Sequence, residues 1–408
     1  MNTELTKIQR FIHKQVPFRY SGNNLTFSLS QELFSSFDVD TGTRHLLRSI
    51  KKIPMFSSLE SILDIGCGTG VLAVSLAKAL PQASIYAVDR DVLACEFTRF
   101  NARENGVTVE TVSGLDASAH QKSFPDRYDL IVSNIPAKAG RAAINRMILN
   151  ALSLLSEDGV LGVVVISPLK HGLENIMDES GCEVLSIETH PRHTVALMRP
   201  TVRPEREDAF PGSYLREKHS FTHKPSRNSY YLTAVYDLPG FDTLPLYASL
   251  CSSLMPRGPH GLRHLFWNTE QGHIPLQVLL GHDRPGACTA VLADRDVLAL
   301  TASRFNISSA LADIHIETIY ASSADSALNE QDPESLDSIW IYMNAKTDEL
   351  SPQQLEAAAL RLTPGGLLCF TGKSSTIAGV PKRIPGFFRG ATKRHSGFRI
   401  QTFLKQRV

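Results

Sequence analysis

The chain has 408 residues, of which 42% are hydrophobic and 20% charged, with a formal net charge of +1. At about 150 residues per domain this length calls for two or three cores, and the neutral balance excludes a uniformly basic nucleic-acid-coating protein. Cys67, Cys95, Cys182, Cys251, Cys288 and Cys369 lack C-x-x-C spacing, and Met1–Arg10 lacks an apolar stretch. Both features point to a reduced, cytoplasmic chain with no disulfide framework, structural zinc, signal peptide or membrane span.

In chain order, Val16–Tyr20 and Leu25–Leu29 flank Ser-Gly-Asn-Asn and predict a hairpin. Lys7, Arg10, His13, Lys14 and Arg19 around it make either a solvated face or a contact surface for phosphate. Phe34-Ser35 and Asp40-Thr41-Gly42-Thr43 follow, the second opening a helix. Then comes Ser-Ile-Leu-Asp-Ile-Gly-Cys-Gly-Thr-Gly, residues 61–70: a strand ending near Asp64, three glycines at alternate positions, and a helix from Val71. Gly66, Gly68 and Gly70 remove side chains where backbone bends sharply and approaches a ligand. Asp89 ends the next apolar run, Ala83–Val88, at the spacing of a carboxylate that accepts from ribose hydroxyls.

Strand and helix periods alternate onward: a helix Asp91–Asn105 closed by Gly106, a strand Val107–Ser113, and a fourth strand Tyr128–Ser133. Alternation of this kind predicts a parallel sheet with helices on both faces and binding at the carboxyl ends of the strands. Asp116 lies at one such end, as does Asn134-Ile135-Pro136-Ala137-Lys138. A helix Ala139–Leu155, a strand Gly159–Ile166 and a hairpin Cys182–Glu188 with Thr194–Met198 complete the sheet, and Arg203–Arg227 reads as a linker or crossing segment.

The second half repeats the first. Asp294–Ala299 copies Asp89–Ala94, Arg304-Phe305-Asn306 copies Arg99-Phe100-Asn101, and Pro333–Lys346 parallels Pro125–Lys138, so the chain is a tandem duplication. Where chemistry is expected the copies differ. Trp267–His273 has one glycine against three, and Tyr342 stands opposite Asn134. The second copy is therefore expected to keep the fold and lose the cofactor, although Asp294 survives. From Gly372 to the end the chain holds nine Lys/Arg and no acid, interleaved with Phe387, Phe388, Phe398 and Phe403. This suits phosphates and unstacked bases, and suits equally a terminal hairpin with a buried Phe face. His273, Cys288 and His190-Pro191-Arg192-His193 show no ligand set and read as core or surface.

The order D-x-G-x-G-x-G, with an acid inside the motif, resembles the class I S-adenosylmethionine-dependent methyltransferases. Over nearly the whole chain the likeness is to the tandem small-domain enzymes that methylate the exocyclic amine of guanine in bacterial ribosomal RNA. The resemblance implies that Asp64, Gly66, Gly68, Gly70 and Asp89 bind S-adenosylmethionine, that the segment with Phe34 and Thr43 covers its methionine end, and that Asp116 meets its adenine. It implies further that Asn134, with Pro136, presents the acceptor amine. Two acceptors there, a side-chain and a backbone carbonyl, aim the amine lone pair at the methyl, with neither metal nor covalent nucleophile. Lys138, Arg389, Lys393 and Arg394 are the candidate substrate contacts.

Two departures stand out. The degenerate copy comes second rather than first, and Ile135 and Ala137 replace the proline and the ring of Asn-Pro-Pro-Phe/Tyr, so that either another aromatic such as Phe34 supplies the base stacking or the acceptor is not a base. The Asn-Ile-x-Ala string also looks like that of ribosomal protein methyltransferases. The expectation is a catalytic domain over 1–200, a linker over 201–228 and a degenerate domain over 229–408, acting on an RNA base amine. A protein or small-molecule amine, or a non-catalytic cofactor-binding RNA scaffold, are the alternatives.

Overall fold

Strands β1 (Lys14–Tyr20) and β2 (Asn23–Leu29) form the expected hairpin. Its two-residue turn, Ser21-Gly22, has both φ angles positive, the geometry that matches strand twist. The computed structural model describes residues 8–34, 37–116, 124–208, 210–240, 243–252, 263–281, 288–344 and 352–407. Lys7, Ser35 and Lys346, which entered the expectations above, lie outside the described residues.

The chain divides into two units, Met1–Tyr214 and Leu215–Val408. In the first, α1 (Thr41–Ile50) precedes β3 (Ser61–Ile65), α2 (Val71–Ala79), β4 (Ser84–Asp89), α3 (Val92–Glu104), β5 (Glu110–Ser113) and β6 (Tyr128–Asn134). Then follow α4 (Arg141–Ser153), β7 (Leu155–Ile166), α5 (Lys170–Glu179), β8 (Cys182–Thr189) and β9 (His193–Pro200). The seven-stranded sheet runs β5-β4-β3-β6-β7-β9-β8, parallel as far as β7 and closed by an antiparallel hairpin. Asp91 caps α3 by accepting from Leu93 N, and Gly106, at φ 67°, ends it. Helix α5 has a polar exposed face and only Leu173, Ile176 and Met177 buried, too narrow a stripe to be read from the sequence.

The second unit repeats this order. After β10 (Leu215–His223), β11 (Asn228–Val235) and α6 (Leu246–Ser252) come β12 (Arg263–Trp267), α7 (His273–Leu279), β13 (Thr289–Asp294), α8 (Val297–Ala310) and β14 (His315–Tyr320). Then follow α9 (Ala324–Asn329), β15 (Leu336–Met343), α10 (Pro352–Arg361), β16 (Leu362–Lys373), a short helix Ser374–Ile377, β17 (Phe387–His395) and β18 (Phe398–Lys405). Its sheet, β14-β13-β12-β15-β16-β18-β17, has the order of the first. The fold is thus α/β, a duplicated Rossmann-like methyltransferase architecture.

The stretch read as linker contains β10, which pairs with β11 in the same kind of hairpin as β1 and β2, so the second copy begins near Leu215 and not at 229. Only Phe221 and His223 of β10 are buried, and its Arg, Lys and Glu residues mask the two-residue period. The repeat Arg-Phe-Asn also gains a reason. Buried Asn101 joins β2 to the glycine turn, accepting from Ser28 N (2.8 Å) and donating to Ser28 O and Thr69 O. Asn306 does the same in the second unit with Thr233 and Gln271.

The basic C-terminal stretch is a hairpin with Phe387 and Phe403 buried, while Phe388 is exposed. Among the described residues no helix is long and apolar enough to cross a membrane.

Candidate active site

The residues after β3 make a turn in which Gly66, Gly68 and Gly70 have φ of 76°, 56° and 82°. A Cβ at Gly66 or Gly68 would meet nothing within 4 Å, whereas one at Gly70 would stand 3.0 Å from Thr98 Cα on α3. The first two glycines leave bare backbone facing open space, and the third lets a helix press against the turn.

Asp64 lies beneath this turn and is wholly buried. Its Oδ2 accepts from Ala73 N at 3.1 Å, but no described residue reaches Oδ1. Burial, and to a lesser degree Asp89, pushes its pKa up to about 7. A buried carboxylate oxygen without a donor fits a cationic group such as the ammonium of a methionine moiety. Asp89, at the end of β4, accepts from Asp91 N (2.9 Å) and Gly68 N (2.9 Å), and burial with Asp91 nearby raises it to about 6.

Both folded-state values lie above the ordinary range, so without a cationic ligand each acid contributes stability that is complete below about pH 4 and is lost as pH rises through 6 to 7. A cation binding Asp64 reverses the sign. S-adenosylmethionine affinity, measured calorimetrically, is expected to rise roughly tenfold between about pH 5.5 and 7.5, and Asp64→Asn to flatten that profile.

One strand over, β6 pairs with β3 (Ile65 beside Ser133) and carries Asn134 to the same edge. Ser133 Oγ donates to Ile65 O at 2.8 Å, fixing the two strand ends together. Asn134 Nδ2 donates to Asp40 Oδ2 (3.1 Å) and to Thr43 Oγ1 (3.2 Å). Asp40 Oδ2 is also the N-cap of α1, accepting from Thr43 N at 3.1 Å. Thr43, expected on the cofactor, is therefore buried against Asn134. Pro136, Ala137 and Lys138 are exposed beside it, and Phe34 and Phe37 are 72% and 67% exposed on the segment leading to Asp40. Arg389, Lys393 and Arg394 lie exposed on β17 of the other unit.

Asp116, expected to meet adenine, is fully buried, and Asn150 Nδ2 donates to its Oδ2 at 2.9 Å. Its carboxylate is engaged inside the unit, by a partner 34 residues away that no local motif announces.

His190 and His193, expected as core or surface residues, belong to a cluster completed by His45, which nothing in the sequence pattern announces. His45 on α1 stacks on His190 at 3.5 Å between ring centroids, with His193 at 6.4 Å. Burial, His190 and Arg48 hold the His45 pKa below its ordinary value. These rings border the acceptor position, because a Cβ on Gly42 would touch both His193 Cδ2 and Asp40 Oδ2 at 2.8 Å. Among the described residues no His/Cys/Asp/Glu group is arranged to hold a metal ion.

In the second unit the same places are filled. Registers align Phe266 with Asp64 and Tyr342 with Asn134. Asn268 and Glu270 hold the left-handed backbone of Gly66 and Gly68 at φ 60° and 49°. Glu270, raised by burial to about 8, accepts from the Tyr247 hydroxyl; Tyr247 stacks on Tyr342 at 4.2 Å, and Asn268 Nδ2 donates to Tyr342 O at 2.7 Å. Asp294 makes bonds of the same kind as Asp89, accepting from Asp296 N and, one residue earlier in the turn than Gly68, from Thr269 N. Calorimetry on the intact chain is expected to give one cofactor per chain, and titration of the second unit alone to show no micromolar binding.

Residues 24–195 match the methyltransferase small domain family. With the turn, the acids and the sheet order above, they form a class I S-adenosylmethionine-dependent methyltransferase domain, similar to those of the ribosomal RNA guanine methyltransferases. Among sequence relatives, the chain is 28% identical over 148 residues to the uncharacterized protein YbxB of Bacillus subtilis, across 36% of this chain and 72% of that protein. It is 30% identical over 149 residues to ribosomal RNA small subunit methyltransferase C of Buchnera aphidicola, across 35% of this chain and 44% of that one, so the match spans less than half of that enzyme. A 16S rRNA methyltransferase of T. thermophilus, solved with AdoMet and guanosine, superposes over 98% of this chain and 100% of its own, with a TM-score of 0.66 and 16% identity, a likeness of fold.

Proposed function

We propose that this protein transfers the methyl group of S-adenosylmethionine to an exocyclic base amine of ribosomal RNA, with guanine as the base. The observation that carries this reading is the meeting, on two adjacent strand ends, of an open glycine turn over a buried carboxylate oxygen with an asparagine carbonyl, neither of which has a donor among the described residues. Bound S-adenosylmethionine supplies an electrophilic methyl group. The glycine backbone gives it room, Asp64 and Asp89 hold its ammonium and ribose, and Asn134 accepts from the amine N–H and turns the lone pair toward the methyl. Orientation is the main contribution asked of the protein. Two of the three proteins named above, those of Buchnera aphidicola and T. thermophilus, carry ribosomal RNA in their names, which supports the same substrate class here.

The second unit supports RNA binding through charge. Its edge strand β17 exposes Arg389, Lys393 and Arg394, and burial together with Arg394 and Arg389 holds the Arg399 guanidinium below its ordinary pKa. The matching edge strand of the first unit, β8, carries Glu183 and Glu188 and no base. The same place in the two copies has acquired opposite charge.

The test is incubation with labelled cofactor, ribosomal RNA and ribosomal protein in separate reactions. Label on a guanine amine supports the reading; label confined to protein, or to neither, refutes it. Replacing Arg389, Lys393 and Arg394 together with alanine is expected to flatten the salt dependence of RNA binding by about 2 in the log–log slope.

A further inference from the structure

We infer that Asp40, acting with Thr43, is a positioning residue that sets the direction of the Asn134 amide. The inference deepens the proposed function and rests on the role that it gives Asn134.

An asparagine side chain has two nearly equal ends, one a double donor and one an acceptor, and only the acceptor end can hold an amine N–H. Which end faces the substrate is decided by what the other end touches. Asp40 Oδ2 already accepts the backbone N–H of Thr43 at 3.1 Å, so this oxygen is an acceptor, and what approaches it from Asn134 at 3.1 Å must be the NH2. The second amide hydrogen goes to Thr43 Oγ1 at 3.2 Å. Both donors are thereby used inside the protein, and Oδ1 is the end left over. Rotating the amide by half a turn would set carbonyl oxygen against carboxylate oxygen, which is repulsive.

The arrangement is built from two distant stretches. Asp40 and Thr43 form the first turn of α1, while Asn134 ends β6. Gly42 between them has no room for a side chain, since a Cβ would stand 2.8 Å from Asp40 Oδ2, so the turn cannot shift to take one. The consequence is selectivity for the kind of acceptor: a group must donate a hydrogen to Oδ1 to be held, which favours an amine over a group that only accepts.

Asp40→Ser keeps an N-capping oxygen on a shorter side chain that does not reach Asn134, and Thr43→Val removes the second acceptor. In the full chain, selectively 15N-labelled at asparagine, the Asn134 NH2 protons are expected to exchange slowly with water, and at least tenfold faster in Asp40→Ser. Exchange at solvent rates in the unaltered protein would overturn the inference, whatever the substrate proves to be. With ribosomal RNA as acceptor, Asp40→Ser and Thr43→Val are each expected to lower kcat about tenfold with cofactor Kd unchanged. Asp40→Ser is expected to add nothing further in an Asn134→Ala background. Effects that multiply would show Asp40 acting independently of Asn134 and would sink the inference. If the unaltered protein methylates no RNA, the proposed substrate fails while the exchange measurement still decides the orientation.

Discussion

Replacing Asn134 with alanine is expected to lower methyl transfer roughly 100-fold or more, while S-adenosylmethionine binding stays within about twofold of its unaltered value. Asn134 stands at the end of β6, and its Nδ2 is held by Asp40 and Thr43 while no described residue donates to its Oδ1. Removing it leaves the acceptor amine without a hydrogen-bond partner and free to turn its lone pair away. Asp64 and Asp89, proposed to hold the cofactor, lie on β3 and β4, so their hydrogen bonds are untouched. Single-turnover rates with saturating cofactor, beside a calorimetric Kd, separate the two effects. Full transfer by the variant would remove Asn134 from the mechanism.

The second large effect is expected from Gly68→Glu, which copies into the first unit the residue that the second unit already has. Glu270 holds the corresponding left-handed conformation, φ 49° against 56°, so the backbone of this turn accepts a glutamate at a strain of about 1 to 2 kcal/mol. The fold should persist with a modest drop in melting temperature. The side chain, however, enters the open space over the turn, and a third acid joins Asp64 and Asp89. S-adenosylmethionine binding is expected to weaken by at least about 100-fold, which calorimetry would read directly. Gly70→Ala should behave differently, failing through stability, because its Cβ has the Thr98 backbone 3.0 Å away.

Much of this was legible in the sequence. The alternation of periods predicts the sheet, and the repeated Asp-Arg-Asp and Arg-Phe-Asn strings predict the duplication. The reason that one glycine of three survives in the second copy is steric: Gly272, like Gly70, has helix backbone against it, with Ser303 Cα at 3.2 Å, while the other two positions have room to be filled. What the sequence hid were contacts between residues far apart. The bond from Asn134 to Asp40 spans 94 positions, the bond from Asn150 to Asp116 spans 34, and His45 meets His190 from another element. Spacing places a residue on an element but does not orient its side chain, and Asp116 shows how a well-placed carboxylate can face inward. The hairpin at Leu215–Val235 was hidden for another reason. A two-stranded ribbon that buries one narrow face can fill its outer face with any charge, which erases the alternation.

Asp294 keeps a structural task in the unit that is expected to bind no cofactor. It ties the end of β13 to the turn at Thr269 and to Asp296, as Asp89 ties β4 to Gly68 and Asp91. Selection for a folded chain alone is enough to preserve such a knot, so in a decayed sister domain this acid is no witness to ligand binding. The informative position is on the preceding strand, where Phe266 stands for Asp64 and the carboxylate's single bond to main chain, from Ala73 N in the first unit, has gone with it.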